Sequence, residues 1–192
     1  MSGLCGWLAA PGGVGAAGMA SDGAASSALA SMAAPLSRFD SAPLIASVSE
    51  VGGVAVAAID GSRHVYQQDG LQVAIWGRPM LDGSADDVAS RLASLWLSRG
   101  VAACASLSGP FSLAILDAFS GSALLAVDRA GIHPLSYAGN AQGLFFASSH
   151  DALLAKISRG RARHHVEKQV VIQRLRIERA PHGRMGQQGI DR

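Results

Sequence analysis

The chain has 192 residues, 49% of them apolar but only 5% aromatic, with 23 glycines and a formal net charge of +2. That length suits one domain with a proper core, built from Ala, Val, Leu and Ile rather than from rings. Residues 1–35 carry Asp22 as their only charge and no basic region ahead of an apolar block, which argues against a signal peptide or a membrane span.

Cys5 and Cys104 form neither a metal-type spacing nor a disulfide framework, so a reducing cytoplasm is the expected setting. The small net charge hides an asymmetry. Residues 1–155 hold six Arg and no Lys against eleven acids, whereas residues 156–192 hold ten Lys and Arg against three acids. The chain changes character at Lys156.

In chain order, residues 1–8 read as a first strand, because Leu4, Gly6 and Leu8 alternate with Gly3, Cys5 and Trp7. Ala9 to Gly23 is a Gly- and Ala-rich linker, and Ala24 to Leu36 a weak helix ended at Pro35. Gly52 to Ile59 and Leu71 to Trp76 are the next strands, with Asp60-Gly61 and Asp69-Gly70 as turn signals. Ser84 to Arg99 is the strongest helix. Ser84 and Asp87 make a capping box, and Val88, Leu92, Leu95 and Trp96 share one face.

Leu107 to Leu154 is the most informative stretch. Leu107, Gly109, Phe111, Leu113 and Ile115 fall on one face at period two and Ser108, Pro110, Ser112, Ala114 and Leu116 on the other, which predicts a strand buried on one side and partly on the second. Asp117 to Ser122 is a hairpin connection and Ala123 to Val127 a second strand. Gly131 and Pro134 then force a bend, Asp128 and Arg129 make local hydrogen bonds around it, and His133 is a turn residue. Gly143 to Ala147 is the third strand. His150 to Lys156 is a short helix, capped by Ser148 or Ser149 and favoured by Asp151 near its start.

The words of this stretch resemble the end of the N-terminal domain of class II glutamine amidotransferases, the asparagine synthase branch in particular. That family reads L-x-G-x-F-A-x-A-x-x-D, a hairpin, L-x-x-x-R-D-x-x-G-x-x-P-L-Y-Y, a Gly turn and F-A-S-E. Here these are Leu107 to Asp117, Leu125 to Tyr137 and Phe146 to Ser149. Asp128-Arg129 fits the second half of an R-D-R, Ser136 replaces one aromatic, and Ser149 replaces the Glu. The resemblance implies an α+β fold, the four-layer αββα sandwich of N-terminal nucleophile hydrolases with two antiparallel sheets, over residues 1–155.

It also implies a reaction: glutamine hydrolysis supplying ammonia for amidation of a carboxylate such as aspartate. In such enzymes the thiol of the first residue attacks the glutamine amide while its own free α-amine serves as base, so both groups must belong to one residue. Cys5 is either that nucleophile, displaced from its place and needing four residues cleaved, or a small buried residue on an apolar strand. The Arg that grips the glutamine carboxylate has Val56, Ala57 and Ala58 in its place, and Trp76 stands where an oxyanion-stabilising Asn is implied. Gly77 survives from the oxyanion pair. Asp86 or Asp87 recovers the amine-binding Asp with a short gap, although both are equally explained as helix N-terminal acids.

No S-G-G-x-D-S loop for ATP pyrophosphate follows, so ATP enters only through a synthetase domain in another chain. Residues 156–192 read as a basic tail, disordered or out of frame. His164-His165 as a metal site and the Arg/Lys set as a nucleic-acid surface are both weak, because adjacent histidines seldom converge on one ion and no aromatics interleave to stack bases. The expected function is therefore a glutamine amidotransferase-like domain whose glutaminase site is degenerate, needing no cofactor or metal of its own. The alternative is a non-catalytic interaction domain beside an ATP-dependent synthetase or peptide cyclase.

Overall fold

The computed structural model describes residues 2–10, 22–38, 42–49, 51–60, 62–140, 143–155, 164–166 and 173–176. Its first sheet contains β1 (Gly3–Ala9), β2 (Leu44–Val48), β3 (Gly52–Ala57), β10 (Leu135–Asn140), β11 (Gly143–Ala147) and β12 (His164–Val166), ordered β12-β10-β11-β1-β3-β2. The second contains β4 (Arg63–Gln68), β5 (Leu71–Gly77), β8 (Phe111–Asp117), β9 (Ser122–Val127) and β13 (Gln173–Arg176), ordered β13-β9-β8-β5-β4. A two-stranded ribbon joins β6 (Met80–Leu81) to β7 (Leu107–Ser108). Every pairing is antiparallel.

Strand alternation decides which core each side chain enters, because neighbouring residues point to opposite faces of a sheet. In β1, Leu4 and Leu8 join a cluster between the two sheets, together with Val54, Val56 and Phe146 of the first sheet and Ala74, Ala114, Leu116 and Leu125 of the second. Cys5, Trp7 and Ala9 turn the other way. They meet Ala25, Leu29, Met32 and Ala33 of α1 (Asp22–Ala33) and Ala152 and Leu153 of α3 (His150–Leu154). On the far side of the second sheet, Val73, Ile75, Phe111, Leu113 and Ile115 pack on Val88, Leu92 and Trp96 of α2 (Val88–Arg99).

The layers therefore run helix, sheet, sheet, helix, with three separate apolar interfaces, and the expected pair of antiparallel sheets is present. Leu and Val make up most of the middle interface, and the strands approach so closely that a side chain at Gly6 would meet the Phe146 ring and the Gly53 carbonyl.

Several expected boundaries are corrected. The strand expected from Leu107 is broken at Gly109-Pro110, where Gly109 has φ +84°. Leu107 and Ser108 pair with β6, and the central strand begins at Phe111. Helix α2 begins at Val88 rather than Ser84, because Asp82, Gly83 and Asp87 all have positive φ and Leu81 bridges to Ser84. The capping box does not form. Ser84 Oγ instead bonds the Asp86 carboxylate and accepts from the Asp86 amide.

Neither Ser148 nor Ser149 caps α3 through its side chain; Ser148 Oγ accepts from the Leu4 amide at 3.0 Å. Strands β2 and β4 were not expected at all. The Ala9–Gly23 linker falls largely outside the described residues, as does most of the basic tail, of which two short segments form β12 and β13. Among the described residues, no helix is long and apolar enough to cross a membrane.

Phe111 is 3% exposed on the α2 side of the central strand, and Ser112 is fully buried on the opposite face with no hydrogen-bond partner for its hydroxyl. Phe111→Ala is expected to cost about 3–5 kcal/mol through lost transfer energy and the cavity left behind. Ser112→Ala, which removes an unsatisfied hydroxyl, should be near neutral. Urea melts of the two variants check this, and equal mildness would contradict the layer assignment.

Candidate functional site

The end of the second sheet is held together by close backbone approaches. Gly77 closes β5 with φ +120°, and a Cβ there would strike the Pro110 carbonyl and come within 2.8 Å of the His133 ring. Only glycine fits such a position. The Gly77 amide donates to the Ser62 carbonyl at 2.9 Å, and the Arg78 amide to the Pro110 carbonyl at 2.8 Å.

Behind these contacts lies Asp128, buried at 4% exposure. Its carboxylate accepts from the amides of Phe111 at 3.2 Å, Ala130 at 2.8 Å, Ile132 at 3.1 Å and His133 at 3.4 Å. The expected local role of Asp128 is thus observed, with the addition that it also reaches across to β8. The bend places the His133 ring against Trp76, with centroids 4.1 Å apart and planes tilted by 48°. Desolvation lowers the His133 pKa, opposed by the charges of Asp128 and Asp60.

On the α2 side of this end is a cleft of about 500 Å³ lined by Asp60, Ser62, His64, Gly77, Arg78, Pro79, Met80, Ala85, Gly109 and Pro110. Asp60 accepts from the Ser62 hydroxyl and amide and pairs with Arg78 Nη2 at 3.1 Å. These hydrogen bonds, those from Ser62 first, hold its carboxyl at a pKa of about 2. His64 is half-buried, and desolvation pushes its pKa down while a hydrogen bond to the Gly77 backbone opposes that shift.

The expected site residues are not gathered here. Gly77 lines the cleft, whereas Asp86 is exposed and engaged with Ser84, next to the lining residue Ala85. Cys5 belongs to a different layer. Its thiol is fully buried among α1, α3 and the first sheet, mid-strand and in register with Ala55 and Ala147. Burial pushes the thiol up to a pKa of about 12. No thiolate forms there near neutral pH.

Asp60, His64 and Arg78 were missed as site residues, and Asp60-Gly61 gave only a turn signal. Arg63 was missed too. It reaches from β4 to donate Nη1 to the Ala58 carbonyl at 2.9 Å, bringing a guanidinium to the end of β3 where the sequence itself offers only Val56, Ala57 and Ala58. Among the described residues, no three His, Cys, Asp or Glu side chains are placed to share a metal ion.

Residues 77–155 match a family model described as a glutamine amidotransferase domain. The match begins at Gly77 and ends just after α3, so it takes in Arg78 through Pro110 of the cleft and the Asp128 bend but not β1 or Cys5. No curated protein matches the chain.

Two expectations follow. Asp128→Asn, which keeps one acceptor oxygen and removes the charge, should lower stability by about 1.5–3 kcal/mol in chemical denaturation. Cys5, whose pKa is raised in the fold, contributes stability that is fully present below its usual 9.0 and is lost as pH climbs toward about 12. Iodoacetamide at pH 8 should therefore leave Cys5 unlabelled in native protein and label it on unfolding. Rapid native labelling would show the thiol to be accessible.

Proposed function

We propose that this chain is a class II glutamine amidotransferase-like domain related to the asparagine synthase family, with a sandwich of the N-terminal nucleophile hydrolase type, and that it does not hydrolyse glutamine. The observation that carries the second half is the placement of Cys5. A thiol nucleophile that uses its own α-amine as base must sit at a free chain end beside a pocket. Cys5 sits mid-strand, its thiol in a helix–sheet core. Freeing its amine would remove Leu4, itself fully buried between the sheets.

Trp76 supports the same reading. The resemblance puts it at the oxyanion position, and here its indole is packed on His133. Loss of one oxyanion donor costs roughly a hundred- to a thousandfold in rate. Any ATP-dependent chemistry in which the domain takes part would then belong to a separate synthetase or cyclase domain.

Glutamine-dependent ammonia release by the purified chain is expected to equal that of Cys5→Ala. A clear Cys5-dependent rate, or a mass showing that the chain starts at Cys5, would restore the enzyme reading.

A further inference from the structure

The cleft beside Gly77 is lined by the glycine that the resemblance assigns to the oxyanion pair, but Cys5 is not among its lining residues, and it has the build of a recognition site in its own right. Its volume of about 500 Å³ lies in the range of small-molecule pockets, roughly 300–1,000 Å³. Most of its wall is apolar, from Pro79, Met80, Ala85 and Pro110. Its floor is fixed, since Gly77 and Gly109 are both pressed against opposing backbone.

Its charges converge on one corner. Arg78 Nη2 and Asp60 Oδ2 are 3.1 Å apart, and this is the one hydrogen bond that the Arg78 side chain makes among the described residues. The guanidinium keeps donors for a further partner. The two side chains are 75% and 48% exposed, and an ion pair so wet contributes little to stability, so a ligand that satisfies both charges loses little by separating them.

We propose that this cleft binds a free α-amino acid with an apolar side chain, its carboxylate on Arg78, its ammonium on Asp60, and its side chain along Pro79, Met80, Ala85 and Pro110. The charge arithmetic selects the class. A simple anion on Arg78 is repelled by Asp60, and a simple cation on Asp60 is repelled by Arg78, whereas an α-amino acid carries both charges on neighbouring atoms. Asp60 is ionised at any physiological pH, since its carboxyl titrates near 2. His64, its pKa lowered by burial, adds no third charge at neutral pH. The proposal stands without any reaction of glutamine, whose polar amide makes it the discriminating competitor for the apolar wall.

Calorimetric titration of the full chain with L-methionine, its methyl ester, N-acetylmethionine and L-glutamine tests it. Saturable binding of methionine is expected, with each blocked analogue and each of Arg78→Gln and Asp60→Asn weaker by about tenfold or more. Thermal melts of the two variants establish that both fold. The analogues test the wild-type protein in any case. No saturable binding of methionine, or equal binding by the ester and the N-acetyl form, overturns the zwitterion assignment. Preference for glutamine over methionine overturns the apolar-wall assignment. None of these results touches the ammonia assay.

Discussion

The carboxylate of Asp128 fixes the end of the molecule on which the cleft depends. The residue follows the last position of β9, and its amide already donates to the Phe111 carbonyl at 2.9 Å, while its side chain accepts from the Phe111 amide. The start of the central strand is thus gripped through both its carbonyl and its amide. The same side chain gathers the amides of the following bend, so His133 has one place to stand, against Trp76 and over Gly77. Gly77 and Pro110 then set the path of Arg78. A buried carboxylate whose acceptor positions are filled by backbone N–H groups is strongly held, because each lost bond would leave a charge or an amide unsatisfied.

This much was legible from the sequence because Phe111 to Ala147 combines dense apolar alternation with turn residues that leave few options. The hairpin at Asp117 to Gly121 and the bend at Gly131 are local chemistry, and local chemistry survives in a sequence. Strands β2 and β4 did not announce themselves. Both are edges, and an edge strand need not alternate: Leu44, Ile45 and Ala46 of β2 are all exposed, and β4 reads Arg-His-Val-Tyr-Gln-Gln. The start of α2 was misplaced for a related reason. Ser84 and Asp87 have the right spacing for a cap, but the positive φ values at Asp82, Gly83 and Asp87 belong to a turn held by Arg91, which donates to the carbonyls of Asp86 and Leu81.

The site was less legible than the fold. Alternation placed Cys5 on the same face of β1 as Trp7 and opposite Leu4 and Leu8, but it could not say which face meets a helix and which meets the other sheet. That is a tertiary fact, and it decides between a thiol in a core and a thiol beside a pocket. The Asp60–Arg78 pair was invisible for the same reason, since eighteen residues separate its members. Gly77 was recognisable by resemblance, and its physical role is steric: it lets the ends of β5 and β8 and the His133 ring come together.

One row across the second sheet holds two of the three buried side-chain polar atoms that lack a partner among the described residues. Arg63, Trp76, Ser112 and Val127 are cross-strand neighbours in sequence along it, on the face turned toward the first sheet. Among the described residues, Arg63 Nε and Ser112 Oγ are buried without a partner, on either side of the same indole. Buried polar atoms left unmade are costly, roughly 1–3 kcal/mol each, and most of this fold avoids them. Val127, at the other end of the row, packs in an ordinary apolar way. Within this row the anomaly lies at the Trp76 end, beside His133 and next to Gly77, and packing alone gives no reason for a polar pair to flank a ring there. The third such atom, Trp7 Nε1, lies apart in the core between the first sheet and α1. Natural sequences concentrate such departures where a constraint other than stability has acted. In this chain that place coincides with the glycine at which the amidotransferase match begins.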